Sequence, residues 1–188
     1  MQREDFLNKV REIPLFGPLM DCDGSDHWES LGQTLVILLL STTPIWLATL
    51  VIFGTGTQMS YAVFWAALYS TITNGQLFMY CTALLAPIFW IALVDPPGAR
   101  VFPSKVSHML LIGIIDLIAA VFFGLTLAGK QVNPVFNFRL STYMFLTSVV
   151  LLYLGTVYHT SRMPDVIGEF KKQENDFSNN YQERRNEQ

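Results

Sequence analysis

Ionisable side chains are scarce in this sequence and absent from its longest apolar stretch. Only 14% of the 188 residues are Asp, Glu, Lys or Arg, whereas a soluble domain usually carries about a quarter. Between Gln33 and Val94 there is no Asp, Glu, Lys, Arg or His. A stretch of that length without a charge is difficult to keep in water and easy to keep in lipid. The composition therefore argues against an ordinary soluble domain and indicates a membrane protein.

Other absences exclude several classes of protein. With two cysteines, Cys22 and Cys81, the chain has no disulfide framework. No loop carries a basic cluster of the kind that neutralises phosphates, which argues against direct nucleic-acid binding. The motifs Gly-x-Ser-x-Gly and His-Glu-x-x-His and the phosphate-binding glycine loop are missing. His108 and His159 have no third ligand at a spacing typical of metal sites. We expect no enzymatic activity, no metal and no cofactor.

Four stretches are long and apolar enough to cross a bilayer, whose roughly 30 Å core needs about 20 helical residues. Backbone polar groups cannot remain unpaired in hydrocarbon, and alternating barrel strands are not evident, so these stretches are predicted to be helices. The sequence thus predicts an all-α fold, a four-helix transmembrane bundle over residues 34–160. The predicted spans are 34–53, 77–94, 106–127 and 140–160.

The distribution of Lys and Arg predicts the orientation of this bundle. Ten of the twelve basic residues lie in the N-terminal segment 1–33, in the loop between the second and third spans, or in the tail 161–188. Basic residues stay on the cytoplasmic side of a membrane. Both termini are therefore predicted to be cytoplasmic. Within the N-terminal segment, the acidic run 21–27 does not fit a calcium loop and is interpreted as a solvated turn.

Residues 59–73 form an uncharged, aromatic-rich segment between the first two spans. Polar residues Asn74-Gly75-Gln76 follow it. One interpretation is an interfacial or re-entrant helix on the outer face, with its aromatic rings at the headgroup level. The alternative is a single long helix that includes the second span and emerges from the membrane. The first interpretation is preferred, so an additional outer-face helix is predicted.

Asp116 is the only acidic residue within the predicted spans. A carboxylate at the centre of a membrane helix costs roughly 2.5–3.5 kcal/mol on insertion scales. Small residues at helical spacing share its face of the third span, which would let another helix approach and place Asp116 against protein. One interpretation is an ion, proton or gating site; the other is a hydrogen-bonded packing contact to a neighbouring helix or subunit. The small residues are Gly113, Ala120, Gly124 and Ala128.

The tail 161–188 contains a few thinly spaced apolar residues among charged ones. This composition is typical of a solvated and partly disordered end. The alternative is a docking segment that folds on a soluble partner, because the spacing is also compatible with a weak helical stripe. The docking candidates are Phe170, Phe177 and Tyr181.

Three short strings in the first two spans carry a family resemblance. They are residues 43–47 (TPIWL), 74–80 (NGQLFMY) and 84–89 (LLAPIF). With them, the chain resembles the small four-span membrane subunits of Kiwa antiphage defence systems, the KwaA family. The resemblance covers the architecture of the whole chain, but specific motifs only in spans one and two. It transfers no individual residue role.

The resemblance implies a non-enzymatic subunit in the bacterial inner membrane that assembles as a homo-oligomer and senses infection at the envelope. It also implies a soluble cytoplasmic partner similar to KwaB, which would supply nucleic-acid binding. The residues alone leave a second hypothesis open. In that alternative the chain is a small oligomeric ion channel, or a membrane-depolarising effector, with Asp116 in the pore.

Overall fold

The described part of the chain is built from α-helices connected by short turns. A computed structural model describes residues 13, 15–56, 60–73, 75–95, 99, 101–130, 133–162 and 177. After a short 3₁₀ helix at Gly17–Asp21, five helices follow within these residues, and the predicted all-α class is confirmed. They are α1 (Gly24–Gly54), α2 (Tyr61–Thr73), α3 (Leu77–Leu93), α4 (Lys105–Leu127) and α5 (Pro134–Arg162).

Three of these helices, α1, α4 and α5, are long and apolar enough to cross a membrane. The bent pair of α2 and α3 would add a fourth crossing if it formed a single span. Large apolar side chains such as Leu40, Val51 and Leu117 are 65–69% exposed on the outer helices. Exposed apolar surface of this extent is unfavourable in water and favourable in lipid, so these helix faces suit a membrane. The architecture is that of a multi-pass membrane protein.

Helix α1 begins at Gly24, well before the predicted span. Its N-cap is Asp23, whose backbone N–H donates to Asp26 Oδ2 at 3.3 Å. An acidic residue in the first turn also interacts favourably with the positive end of the helix dipole. The prediction of a solvated acidic turn is therefore wrong for residues 24–27, which form a capped helix start. The stretch 34–53 lies inside a longer helix that continues towards the N-terminus.

The segment between the first two spans is a separate helix, α2, joined to α3 by a bend of 71°. The turn contains Gly75 at a φ of +74°, a conformation that glycine adopts without strain. A side chain at Gly75 would also meet the Asn137 amide nitrogen at 2.9 Å. The alternative of one continuous helix is therefore wrong. Helix α2 packs on the end of α1 through Phe53 and Phe64, whose ring centroids lie 5.7 Å apart.

Helix α3 lies at the centre of the bundle and packs mainly between α4 and α5. Its residues Leu84, Leu85 and Ile88 are completely buried. Helices α1 and α4 lie on the outside, with most of their apolar side chains exposed. The described core is thus organised around α3, and both candidate sites below contact it.

Candidate functional site

Asp116 lies midway along α4, on the side that faces α3. The Thr82 side chain of α3 lies next to its carboxylate. Its Oδ1 atom is buried and has no hydrogen-bond partner within the described residues. A carboxylate in hydrocarbon needs donors to offset its lost hydration. The contact to Thr82 is the kind expected from the packing interpretation.

The small residues that share the face of Asp116 are open within one chain. Gly113, Ala120, Gly124 and Ala128 are all exposed. A Cβ built at Gly113 or at Gly124 meets nothing within 4 Å. The predicted close approach of another helix to this face is therefore not made by the described helices of the same chain.

A groove runs beside this face, between α3 and α4. Its volume is about 450 Å³, and it is lined by Thr82 and four alanines, with larger side chains at its ends. Thr82, which lines the groove, also lies next to Asp116. The alanines are Ala83, Ala86, Ala119 and Ala120, and the larger side chains are Phe78, Met79 and Phe123.

A second polar site lies where α5 ends. The side chain of Arg162 is only 2% exposed. Its Nη1 donates to Asp95 Oδ1 at 3.2 Å, and its Nη2 donates to the carbonyl oxygens of Ile91 at 2.9 Å and Val94 at 3.2 Å. The last carbonyls of a helix have no partner within the helix. Arg162 therefore caps the C-terminal end of α3 from a different helix.

Lys105, the first residue of α4, binds the same end of α3. Its Nζ donates to the Leu93 carbonyl oxygen at 3.0 Å and to Asp95 Oδ2 at 2.9 Å. Asp95 thus lies between two cations. The Lys105 hydrogen bond, reinforced by the positive charges of Lys105 and Arg162, holds the pKa of Asp95 below its usual value.

Aromatic rings surround the Arg162 site. The rings of Phe102, His108 and Tyr158 meet edge to face, with centroids 5.2–5.9 Å apart. The Arg162 guanidinium lies 5.4 Å from the Phe102 centroid, within the range of a cation–π contact. The Tyr158 hydroxyl donates to the Leu15 carbonyl oxygen, which ties the N-terminal segment to α5.

The two histidines singled out in the sequence both border this aromatic site. His108 contacts Phe102 and Tyr158, and His159 Nδ1 lies 3.4 Å from Arg162 Nη2. No cluster of three metal-ligating side chains occurs among the residues that the structure describes. In the sequence, Arg162 is the first basic residue of the tail 161–188, and nothing there assigned it a partner. The signal that was available is a lone cation at the end of an apolar helix, with an acidic residue, Asp95, in the loop on the same predicted side.

The predicted docking residues are seen only in part. Phe177 is 74% exposed. Phe170 and Tyr181 lie outside the described residues.

No protein family, curated protein or solved structure matches this chain. The function is therefore argued from the two sites and from the residue pattern.

Proposed function

We propose that the chain is a non-enzymatic subunit of a Kiwa-type antiphage defence complex in the bacterial inner membrane. It crosses the membrane four times, through α1, α3, α4 and α5, with α2 on the outer face and both termini in the cytoplasm. The ten-to-two distribution of basic residues supports this orientation. Helix α3 has 17 residues, so it is roughly 26 Å long, close to the thickness of a bilayer core.

The observation that carries the proposal is the open face of α4. Small residues line it, the groove between α3 and α4 adjoins it, and Asp116 Oδ1 lacks a donor among the described residues. Membrane helices associate through small residues that allow close backbone approach, and through interhelical hydrogen bonds. In our proposal a second copy of the chain packs on this face, and the oligomer carries a soluble partner on its cytoplasmic side. The assignment to a defence complex rests on the resemblance in α1 and at the start of α3.

The test is a mild-detergent pull-down of the tagged, full-length chain from its host, analysed by mass spectrometry under native conditions. We expect a homo-oligomer of defined mass with a stoichiometric, soluble, DNA-binding protein. Replacing Phe170, Phe177 and Tyr181 with Ala should release that protein and leave the oligomer intact. A monomer in lipid nanodiscs would contradict the proposed self-assembly, and a partner retained by the triple variant would contradict docking on the tail.

A second candidate function is an oligomeric ion channel, and the position of Asp116 beside the open face favours it. In a ring of copies, each chain would contribute one carboxylate, and rings of acidic side chains select cations. Purified protein in liposomes should then conduct cations. Asp116→Asn should weaken that flux, whereas Asp116→Glu, which keeps the charge, should retain it. Liposomes that stay tight under a voltage and under an ion gradient would contradict the channel hypothesis.

A further inference from the structure

We propose that Arg162 fastens the end of α5 to the end of α3, so that the two ends move as one unit. A displacement at the cytoplasmic end of α5 would then reach the central helix of the bundle. This inference goes beyond the proposed function, since it concerns how the chain transmits a movement whatever partner causes it.

The bonds of Arg162 are directed away from its own helix. Its two terminal nitrogens reach Asp95 and the carbonyls of Ile91 and Val94, at 2.9–3.2 Å. These acceptors are at the end of α3 or directly after it, about 70 residues earlier in the sequence. Removing the guanidinium leaves the carbonyls of Ile91 and Val94 without this donor, so the end of α3 loses its cap. Arg162 therefore holds α3 in place as much as it holds α5.

Helix α3 is the element through which such a movement would spread. It packs between α4 and α5 and also contacts α1. It carries Thr82, which lies next to Asp116, and Ile88, which packs tightly against Gly155 of α5. A shift of α3 along its axis would change both contacts, because packed helices move as rigid bodies and not by local deformation.

The ion pair between Arg162 and Asp95 can also be reached from the solvent. Asp95, which pairs with Arg162, has a side chain that is 40% exposed. A cation from solution or from a bound protein can reach this carboxylate and compete with Arg162 for it. Residues 163–188 follow Arg162 directly in the sequence. A protein bound to them would therefore act at the point where α5 is attached to α3.

The test is hydrogen–deuterium exchange of the full-length protein in lipid nanodiscs, read in peptides that cover residues 91–95 and 156–162. We expect Arg162→Gln to raise exchange about tenfold or more in both regions, with the same opening rate, because both lose the same fastening. Lys105→Gln is the matched control, since Lys105 also caps α3 but does not touch α5. It should raise exchange at 91–95 and leave 156–162 unchanged.

Two further variants keep the test decisive. Arg162→Lys keeps the charge but cannot reach all three acceptors at once, so it should raise exchange in both regions less than Arg162→Gln does. In region 156–162, Asp95→Asn should exchange faster than Lys105→Gln and more slowly than Arg162→Gln. If Arg162→Gln and Arg162→Lys speed exchange at 156–162 and leave 91–95 as in the parent protein, Arg162 is a local contact and the inference is wrong. If Arg162→Gln does not elute as a folded species, exchange at 91–95 and at 156–162 is compared between Arg162→Lys and the parent protein. A rise in both regions supports the inference, and a rise at 156–162 alone contradicts it.

Discussion

Gly155 of α5 faces Ile88 of α3 so closely that a Cβ at Gly155 would lie 2.5 Å from Ile88 Cγ2. Real Cβ contacts are essentially never that short, so glycine is required here for steric reasons. Apolar burial gives little driving force between helices in lipid, and association depends on close packing through small residues. This close contact between α3 and α5 therefore requires that residue 155 has no Cβ.

Gly155→Ala should destabilise the bundle by about 1–3 kcal/mol, because the branched side chain of Ile88 has little freedom to move away. The measurement is unfolding in mixed detergent micelles followed by circular dichroism. Ile88→Ala removes the clashing atoms but leaves a cavity. We therefore expect the double variant to be less destabilised than the sum of the two single variants.

The matched control is Gly32→Ala on α1, where an added Cβ meets nothing within 4 Å. Its unfolding should be unchanged or slightly improved, since alanine favours helix over glycine. Equal losses at Gly155 and Gly32 would contradict a specific effect of the contact with Ile88.

Gly124→Leu should weaken self-association without destabilising the single chain. Gly124 is exposed on the open face, so a larger side chain has space within one copy and would block a second. Native mass spectrometry and fluorescence transfer between labelled copies would measure the change in oligomer. Gly32→Leu on α1, where an added Cβ also meets nothing within 4 Å, is the size-matched control and should leave the oligomer unchanged. Equal dissociation by both variants would remove the support for this face as the contact surface.

The Asp95 ion pairs should make this end of the helix bundle sensitive to acid. Lys105 and Arg162 lower the pKa of Asp95 in the folded state below its ordinary value of 3.8. Its contribution to stability is therefore fully present above that value, and it is lost as the pH falls through the lowered, folded-state pKa. Unfolding midpoints between pH 7 and pH 2.5 should fall more steeply at the acid end in the parent protein than in Asp95→Asn. Parallel profiles would contradict the pairing.

Three side-chain hydrogen bonds connect α1 to α5, and each should make a small contribution to stability. His27 Nδ1 lies 2.8 Å from the Tyr153 hydroxyl, Ser30 Oγ donates to Thr160 Oγ1 at 3.2 Å, and the Thr34 and Thr156 hydroxyls are 3.0 Å apart. Tyr153→Phe should cost about 0.6 kcal/mol, the average for hydrogen bonds between membrane helices, and at most about 1.7 kcal/mol.

The same detergent unfolding assay would measure this loss. Tyr143→Phe is the control, because Tyr143 is on the same helix and 68% exposed. We expect no change for it. A loss at Tyr143 as large as at Tyr153 would indicate a general effect of the hydroxyl group and not the bond to His27.

The sequence predicted helices where local signals suffice. Helix α3 begins at Leu77, the residue predicted, because polar residues precede a continuous apolar run. The start of α1 was not predicted, because residues 24–33 are mostly polar. An apolar run indicates which part of a helix lies in the bilayer, and not where the helix begins. The capping at Asp23 and Asp26 was the overlooked signal.

Contacts between distant residues were harder to predict. Arg162 and Asp95 are far apart in the sequence, so their pairing follows only from the packing of α5 on α3. The small residues of α4 were predicted to share the face of Asp116 and to admit a neighbouring helix or subunit, and within the described chain that face is open. The close approach occurs instead at Gly155, a single glycine without a repeating pattern around it.

The unequal lengths of the helices have a consequence for the choice of membrane. Helices α1 and α5 have 31 and 29 residues, so they are roughly 46 and 44 Å long, whereas α3 is roughly 26 Å long. In the proposed four-span arrangement, the long helices can reduce their tilt in a thicker bilayer, whereas the lipid has to thin next to the exposed side of α3. Hydrophobic mismatch would then act first at α3. We therefore expect the protein to favour thin bilayers.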